Sequence, residues 1–287
     1  MSTALTTLRA TLREGIRRRL LLAMFGLSAV AVLLTAWGYS QLGNLPAGRN
    51  RPLDPQQIQL IASQLLILVM FLFSFVLSLS AVFAAAPSVA GELESGEALA
   101  VLARPIRRRD VLIGKWLGLC LVIVIYALLA TAIELGAALV TTGYLPPHPV
   151  EAALYLAGVG LTMLTVTLLL STRLAPATAG IVAMLLFGLA WLAGVIGGIG
   201  IALGDPVTGV VGDIGRIVIP SDGLWRGALF SLEPPAVLIG AAGAGPELAA
   251  FPFFAAAPPP LLYLAWAVVW NIGAFILAAF SLERRDL

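Results

Sequence analysis

The sequence predicts an all-α, polytopic membrane protein with six transmembrane helices, and three observations carry that expectation. Of 287 residues, 60% are hydrophobic and only 11% charged, with a mean hydropathy of +1.00. A soluble globular chain has about 45–50% apolar and about 25% charged residues, so this chain lacks the charge to cover a water-facing surface. The apolar residues gather into six runs near or above the roughly 20 residues that a helix needs to cross a bilayer. Lysine and arginine fall almost entirely in alternate connections between those runs. The same composition excludes disorder, which needs few apolar residues, and the glycines show no collagen-like triplet period.

The spans are expected, in order, at 20–39, 60–86, 116–140, 152–171, 177–203 and 261–280. Arg17-Arg18-Arg19 before the first run would suit a signal peptide. The run is too long for one, however, and no small-x-small site precedes Gln41, so it is read as a retained helix. Ahead of it, at 3–19, Leu5, Leu8, Leu12 and Ile16 recur at helical spacing with Arg9, Arg13 and Arg17 between them. That is the pattern of a helix lying in the membrane interface, with Arg13 and Arg17 as anchors. Of the 17 Lys and Arg residues, only Arg49, Arg51, Arg216 and Arg226 fall on the side opposite the termini. Positive charge stays inside, so both termini are expected in the cytoplasm and the chain in the cytoplasmic membrane.

The connection at 87–115 is longer than a turn requires. Glu92, Glu94 and Glu97 come first, Leu99, Val101 and Leu102 follow on a short helical stretch, and Pro105 ends it. Arg104, Arg107, Arg108, Arg109 and Lys115 close the segment at the membrane. Apolar residues exposed on such a segment need something to cover them; the plainer reading is a solvated run of charge. The outer connection at 204–260 is rich in Gly and Pro but still apolar. It is expected to lie against the outer membrane face or to fold back over the helix bundle. Ser221 is placed as the cap of a short helix through Phe230, with Asp222 at its positive end.

No catalytic chemistry is expected. One Cys and one His, Cys120 and His148, cannot form a disulfide framework or a metal ligand set. A phosphate-cradling loop is absent, since Gly114-Lys115 is followed by Trp116 and no glycine stands five residues before Gly114. Intramembrane ionisable groups are costly and so are candidates for function. Glu134 is the clear one, either on a substrate or proton route or bonded to a neighbouring helix. Gln64, Ser74 and Ser78 leave a weaker polar trace along the second span, to be read as a pathway lining, a subunit interface or hydroxyls bonding their own helix.

The segment Gly91-Glu92-Leu93-Glu94-Ser95-Gly96-Glu97, continued by Leu99-Ala100-Val101-Leu102-Ala103-Arg104-Pro105-Ile106 and by Arg109 to Lys115, resembles the first cytoplasmic loop of ABC-2-type transporter permeases. The basic interfacial helix, the ending Phe280 to Leu287 and the outer stretch Pro220 to Gly227 resemble the same family. Glu97-Ala98 departs from a usual Thr. Within the family, the chain is similar to single-domain permeases of nitrous-oxide-reductase maturation and bacterial export systems. The resemblance implies a permease half that pairs with a second copy and binds two cytoplasmic ABC ATPase subunits. These would carry the ATP and Mg, and this chain no cofactor. Glu92, Glu94, Glu97, Leu99, Leu102 and Arg104 would then form the coupling segment, with Arg107 to Arg109 fixing it at the headgroups. Export is the expected function. The alternatives are a transmitter that moves an extracytoplasmic partner docked at 204–260, and a secondary carrier. No nucleic-acid partner is expected.

Overall fold

A computed structural model of the chain describes residues 6–9, 19–44, 46–47, 51–94, 108–241, 243 and 245–284. Most of the expected interfacial helix, with Arg13 and Arg17, lies outside the described residues, as do Glu97, Leu99, Leu102, Arg104 and Arg107. In chain order the helices are α1 (Arg19–Gln41), α2 (Pro55–Glu94), α3 (Arg108–Thr142), α4 (Pro149–Ser171), α5 (Pro176–Leu203), α6 (Pro206–Val218), α7 (Ser221–Leu232), α8 (Pro235–Ala241) and α9 (Leu261–Glu283). Among the described residues, six helices are long and apolar enough to cross a membrane, and they correspond to the six expected spans. A pair of two-residue strands, Pro46–Ala47 and Arg51–Pro52, closes the turn between α1 and α2.

Several helices begin where local chemistry says they should. Asp54 Oδ1 accepts the Gln57 N–H at 2.7 Å while Gln57 Oε1 accepts the Asp54 N–H at 3.1 Å, a reciprocal capping box at the start of α2. Proline occupies the first turn of α4, α5 and α6, where its missing N–H costs nothing. The connection expected at 87–115 differs from the hydropathy reading at both ends. α2 runs through Pro87 to Glu94, and α3 starts at Arg108 rather than 116. Hydropathy marks where a helix leaves lipid, whereas backbone hydrogen bonding decides where it stops, and Glu, Arg and Ala are good helix formers in water.

α4 is the centre of the bundle. A Cβ on its Gly160 would sit 2.7 Å from Ile123 of α3 and 2.9 Å from Leu77 of α2, so both neighbours press against its backbone. Trp116 donates to Thr165 Oγ1 at 3.1 Å and Asn271 donates to Thr162 Oγ1 at 3.2 Å, tying α3 and α9 to the same helix. At its far end, Arg173 Nε and Thr172 both donate to Ser281 Oγ at 2.8 Å. α1 and α9 lie on the rim, with Leu33, Trp37, Leu261 and Val268 among their exposed side chains.

The connection 204–260 folds back between the spans. Gly204, with φ +66°, ends α5 in the left-handed conformation. Asp205 then caps α6 by accepting the Val207 N–H at 3.1 Å. α6 descends antiparallel to α5 with the two backbones in contact. A Cβ on Gly197 would lie 2.6 Å from Gly212 Cα, and one on Gly200 would lie 2.4 Å from Gly209 N. α7 then climbs along α4, where Gly158 meets Leu224 and Gly227 meets Tyr155. Ser221 is the first helical residue of α7 rather than its cap; the capping position falls on Pro220.

Candidate functional site

The expected site residues fall into separate places. The connection between α2 and α3 is framed by the ends of two long helices, with Glu92 and Glu94 in the last turn of α2 and Arg108 and Arg109 opening α3. Lys115 Nζ donates to the Ser88 carbonyl oxygen and so links those ends. Asp110 stands in the first turn of α3, favourable for the helix dipole.

Glu134 is fully buried. Its Oε2 accepts from Thr35 at 3.0 Å and its Oε1 from Tyr39 at 3.1 Å, both on α1. Ser28 and Tyr126 make a second hydroxyl contact along the same seam. Gln64 is exposed on α2, whereas Ser74 is buried and donates to the Phe71 carbonyl oxygen at 2.8 Å. Ser78 is buried, and its hydroxyl has no partner among the described residues. Glu134, Gln64, Ser74 and Ser78 are thus not brought together in one place.

A polar cluster that the sequence reading did not assemble lies at the tip of the α6–α7 hairpin. Asp222 is buried, and its Oδ2 accepts from Arg216 Nε and from Arg226 Nε, each at 3.1 Å. Arg226 Nη2 also donates to the Gly194 carbonyl oxygen of α5 at 2.8 Å. Gly194 is required there, because a Cβ would stand 2.1 Å from the Asp222 carboxylate. Tyr263 of α9 donates to the Pro220 carbonyl oxygen at 3.1 Å, and Trp266 donates to that of Ile217 at 3.2 Å. The i,i+4 pair Asp222/Arg226 is a signal the sequence carries; Arg216, on a different helix, is not.

The other end of α7 is held at the turn between α3 and α4. Tyr144 donates to the Leu232 carbonyl oxygen at 2.7 Å, and the His148 N–H to that of Ser231 at 3.3 Å. Glu233 is buried and accepts the Ala255 N–H at 3.0 Å through Oε1, while Oε2 has no partner among the described residues. Burial pushes the Glu233 carboxyl up to about 7 despite the Ala255 N–H. The Tyr144 phenol is raised as well, first by burial and then by the nearby Glu233 charge.

On the bundle surface, a groove of about 620 Å³ lies between the ends of α2 and α5, walled by Val82, Phe83, Pro87, Pro176, Ile181 and Met184. Leu68, Leu72 and Phe75 continue this exposed apolar face on α2, and Leu185, Leu189 and Leu192 continue it on α5.

A family model described as ABC-2 family transporter protein matches residues 6–287. The chain belongs to the ABC-2 transporter family and is a multi-pass permease subunit of an ABC transporter. No curated protein matches it.

Proposed function

We propose that this permease subunit pairs with a second copy and converts ATP hydrolysis by two separate cytoplasmic ATPase subunits into export of a substrate across the cytoplasmic membrane. The observation that carries the reading is the length of α2 and α3. They contain 40 and 35 residues, about 60 and about 52 Å at the helical rise, against a hydrocarbon core of about 30 Å. Both overshoot at the end that holds Glu92, Glu94, Arg108 and Arg109, and the Lys115 contact with Ser88 joins the two projections. Motion imposed on the segment between them would therefore be passed to two spans together. In this reading Glu92, Glu94, Glu97 and Arg104 meet polar groups of the ATPase, and Leu99 and Leu102 fill an apolar groove on it. ATP and Mg bind the partner subunits. Arg107 to Arg109, with Arg13 and Arg17, hold the same face at the headgroups, in keeping with both termini in the cytoplasm.

The packing of α6 and α7 against α4 and α5 favours export over a transmitter role, since little of that region projects as a docking module. The apolar face of α2 and α5 suits the meeting of two copies around a common pathway. The test is co-purification of the full complex after Leu99→Asp and Leu102→Asp. Loss of the ATPase from the complex is expected; a retained complex with full ATPase stimulation would falsify the coupling assignment.

A further inference from the structure

Beyond ATPase coupling, the tip of the re-entrant hairpin carries an unclaimed cavity of about 500 Å³, lined by Asp213, Arg216, Arg226, Tyr263, Gly223, Ile217 and the run Ala257 to Pro260. We propose that this cavity binds a phosphate-type oxyanion through Arg216 and Arg226.

The first argument is the count of donors. A guanidinium offers five N–H groups in a rigid fork. Arg216 uses Nε on Asp222 and Nη1 on Asp213; Arg226 uses Nε on Asp222 and Nη2 on the Gly194 carbonyl oxygen. Arg216 Nη2 and Arg226 Nη1 therefore have no protein acceptor among the described residues. Both side chains are only 20% and 17% exposed, and both line the cavity.

Charge gives the second argument. Asp222, 2% exposed, is shared by the two arginines. Asp213 pairs only with Arg216, at 3.4 Å, and is 70% exposed, where solvent screens it. The buried part of the cluster thus holds two guanidinium groups against one carboxylate. An oxyanion would meet the free N–H groups of both arginines, whose planar forks match phosphate geometry, with Asp213 on the solvent-screened edge of the same cavity.

A phospholipid headgroup and free inorganic phosphate share the required chemistry.

Native mass spectrometry of the full chain in neutral detergent separates the two sources. The probes are dioleoyl phosphatidylglycerol, dioleoylglycerol (the same chains without phosphate) and inorganic phosphate. Wild-type protein is expected to prefer phosphatidylglycerol over dioleoylglycerol. Arg216→Gln removes donors, and Ala257→Trp fills the cavity from an exposed position without touching a charge. Each is expected to reduce that preference about tenfold. Displacement of the lipid by inorganic phosphate would assign the site to free anions, and its failure to displace would assign it to the headgroup. Unchanged lipid preference and phosphate binding in both variants, with melting temperatures at the wild-type value, would overturn the proposal. Should Arg216→Gln not fold, Ala257→Trp decides alone.

Discussion

Two buried carboxylates in this molecule are accommodated in opposite ways. Glu134, in the seam between α1 and α3, is met by two neutral hydroxyls, Thr35 and Tyr39. Asp222, at the hairpin tip, is met by two guanidinium groups. Hydroxyl donors can turn to other acceptors when the acid is removed, and Thr35 already has the Ala31 and Val32 carbonyl oxygens within 3.0 Å. Guanidinium groups cannot be discharged, so removing Asp222 leaves charge stranded. The first arrangement joins two helices cheaply, whereas the second makes a region depend on a single side chain. The hairpin also needs glycines because its backbones meet, with a Cβ on Gly197 only 2.6 Å from Gly212 Cα, whereas Gly26 and Gly38 of α1 have nothing within 4 Å.

The contrast can be broken at its strongest point by Gly197→Leu. The side chain would have to enter a space where a Cβ already stands 2.6 Å from the Gly212 backbone. The cost is expected to exceed about 4 kcal/mol, read as loss of the monodisperse peak in size-exclusion chromatography. Gly188→Ala, at a site with nothing within 4 Å, should keep that peak. Next in size is Asp222→Ala, expected to cost about 3–5 kcal/mol because two partly buried arginines lose their counter-ion. Thermal unfolding in detergent would show it, and Asp222→Asn should lose less.

Glu233 sharpens the comparison through pH. Its carboxyl is raised in the folded protein to about 7 from an ordinary value of 4.5. Its contribution to stability is therefore fully present below about 4.5 and is lost as pH rises through about 7. The protein should melt at a higher temperature at pH 5 than at pH 8 on this account. Glu233→Gln should flatten the dependence, by up to about 3 kcal/mol. A Glu233→Gln profile parallel to wild type would remove Glu233 as its source. The smallest effect is expected at Glu134→Gln, which keeps an acceptor for one hydroxyl and should cost about 1 kcal/mol. ATP-driven transport in proteoliposomes should survive that change if the seam is Glu134's main role. Abolished transport with intact folding would return Glu134 to the substrate or proton route.

The two regions are unequally legible in the sequence. Glu134 stands out in sequence as an acid within an apolar span, but Thr35 and Tyr39 lie more than ninety residues away in sequence and nothing local announces them. The hairpin was less visible still, because glycine and proline at 204–260 give the composition of a loop. Its helices persist because Gly204 turns the chain, Asp205 caps the return, and the facing glycines of α5 and α6 let the two backbones touch.

By itself, the sequence determined that this protein crosses a membrane six times, which family it resembles, and that 87–115 is the segment where charge concentrates. These follow from local quantities: the length of an apolar run, the placement of Lys and Arg, and short motifs. Only the tertiary structure decided that the 204–260 connection packs back along α4 and α5, that Arg216 joins Asp222 and Arg226, and that Glu134 ties α3 to α1. Each depends on close approach between side chains far apart in the chain, set by which helix faces pack and how near their backbones can come.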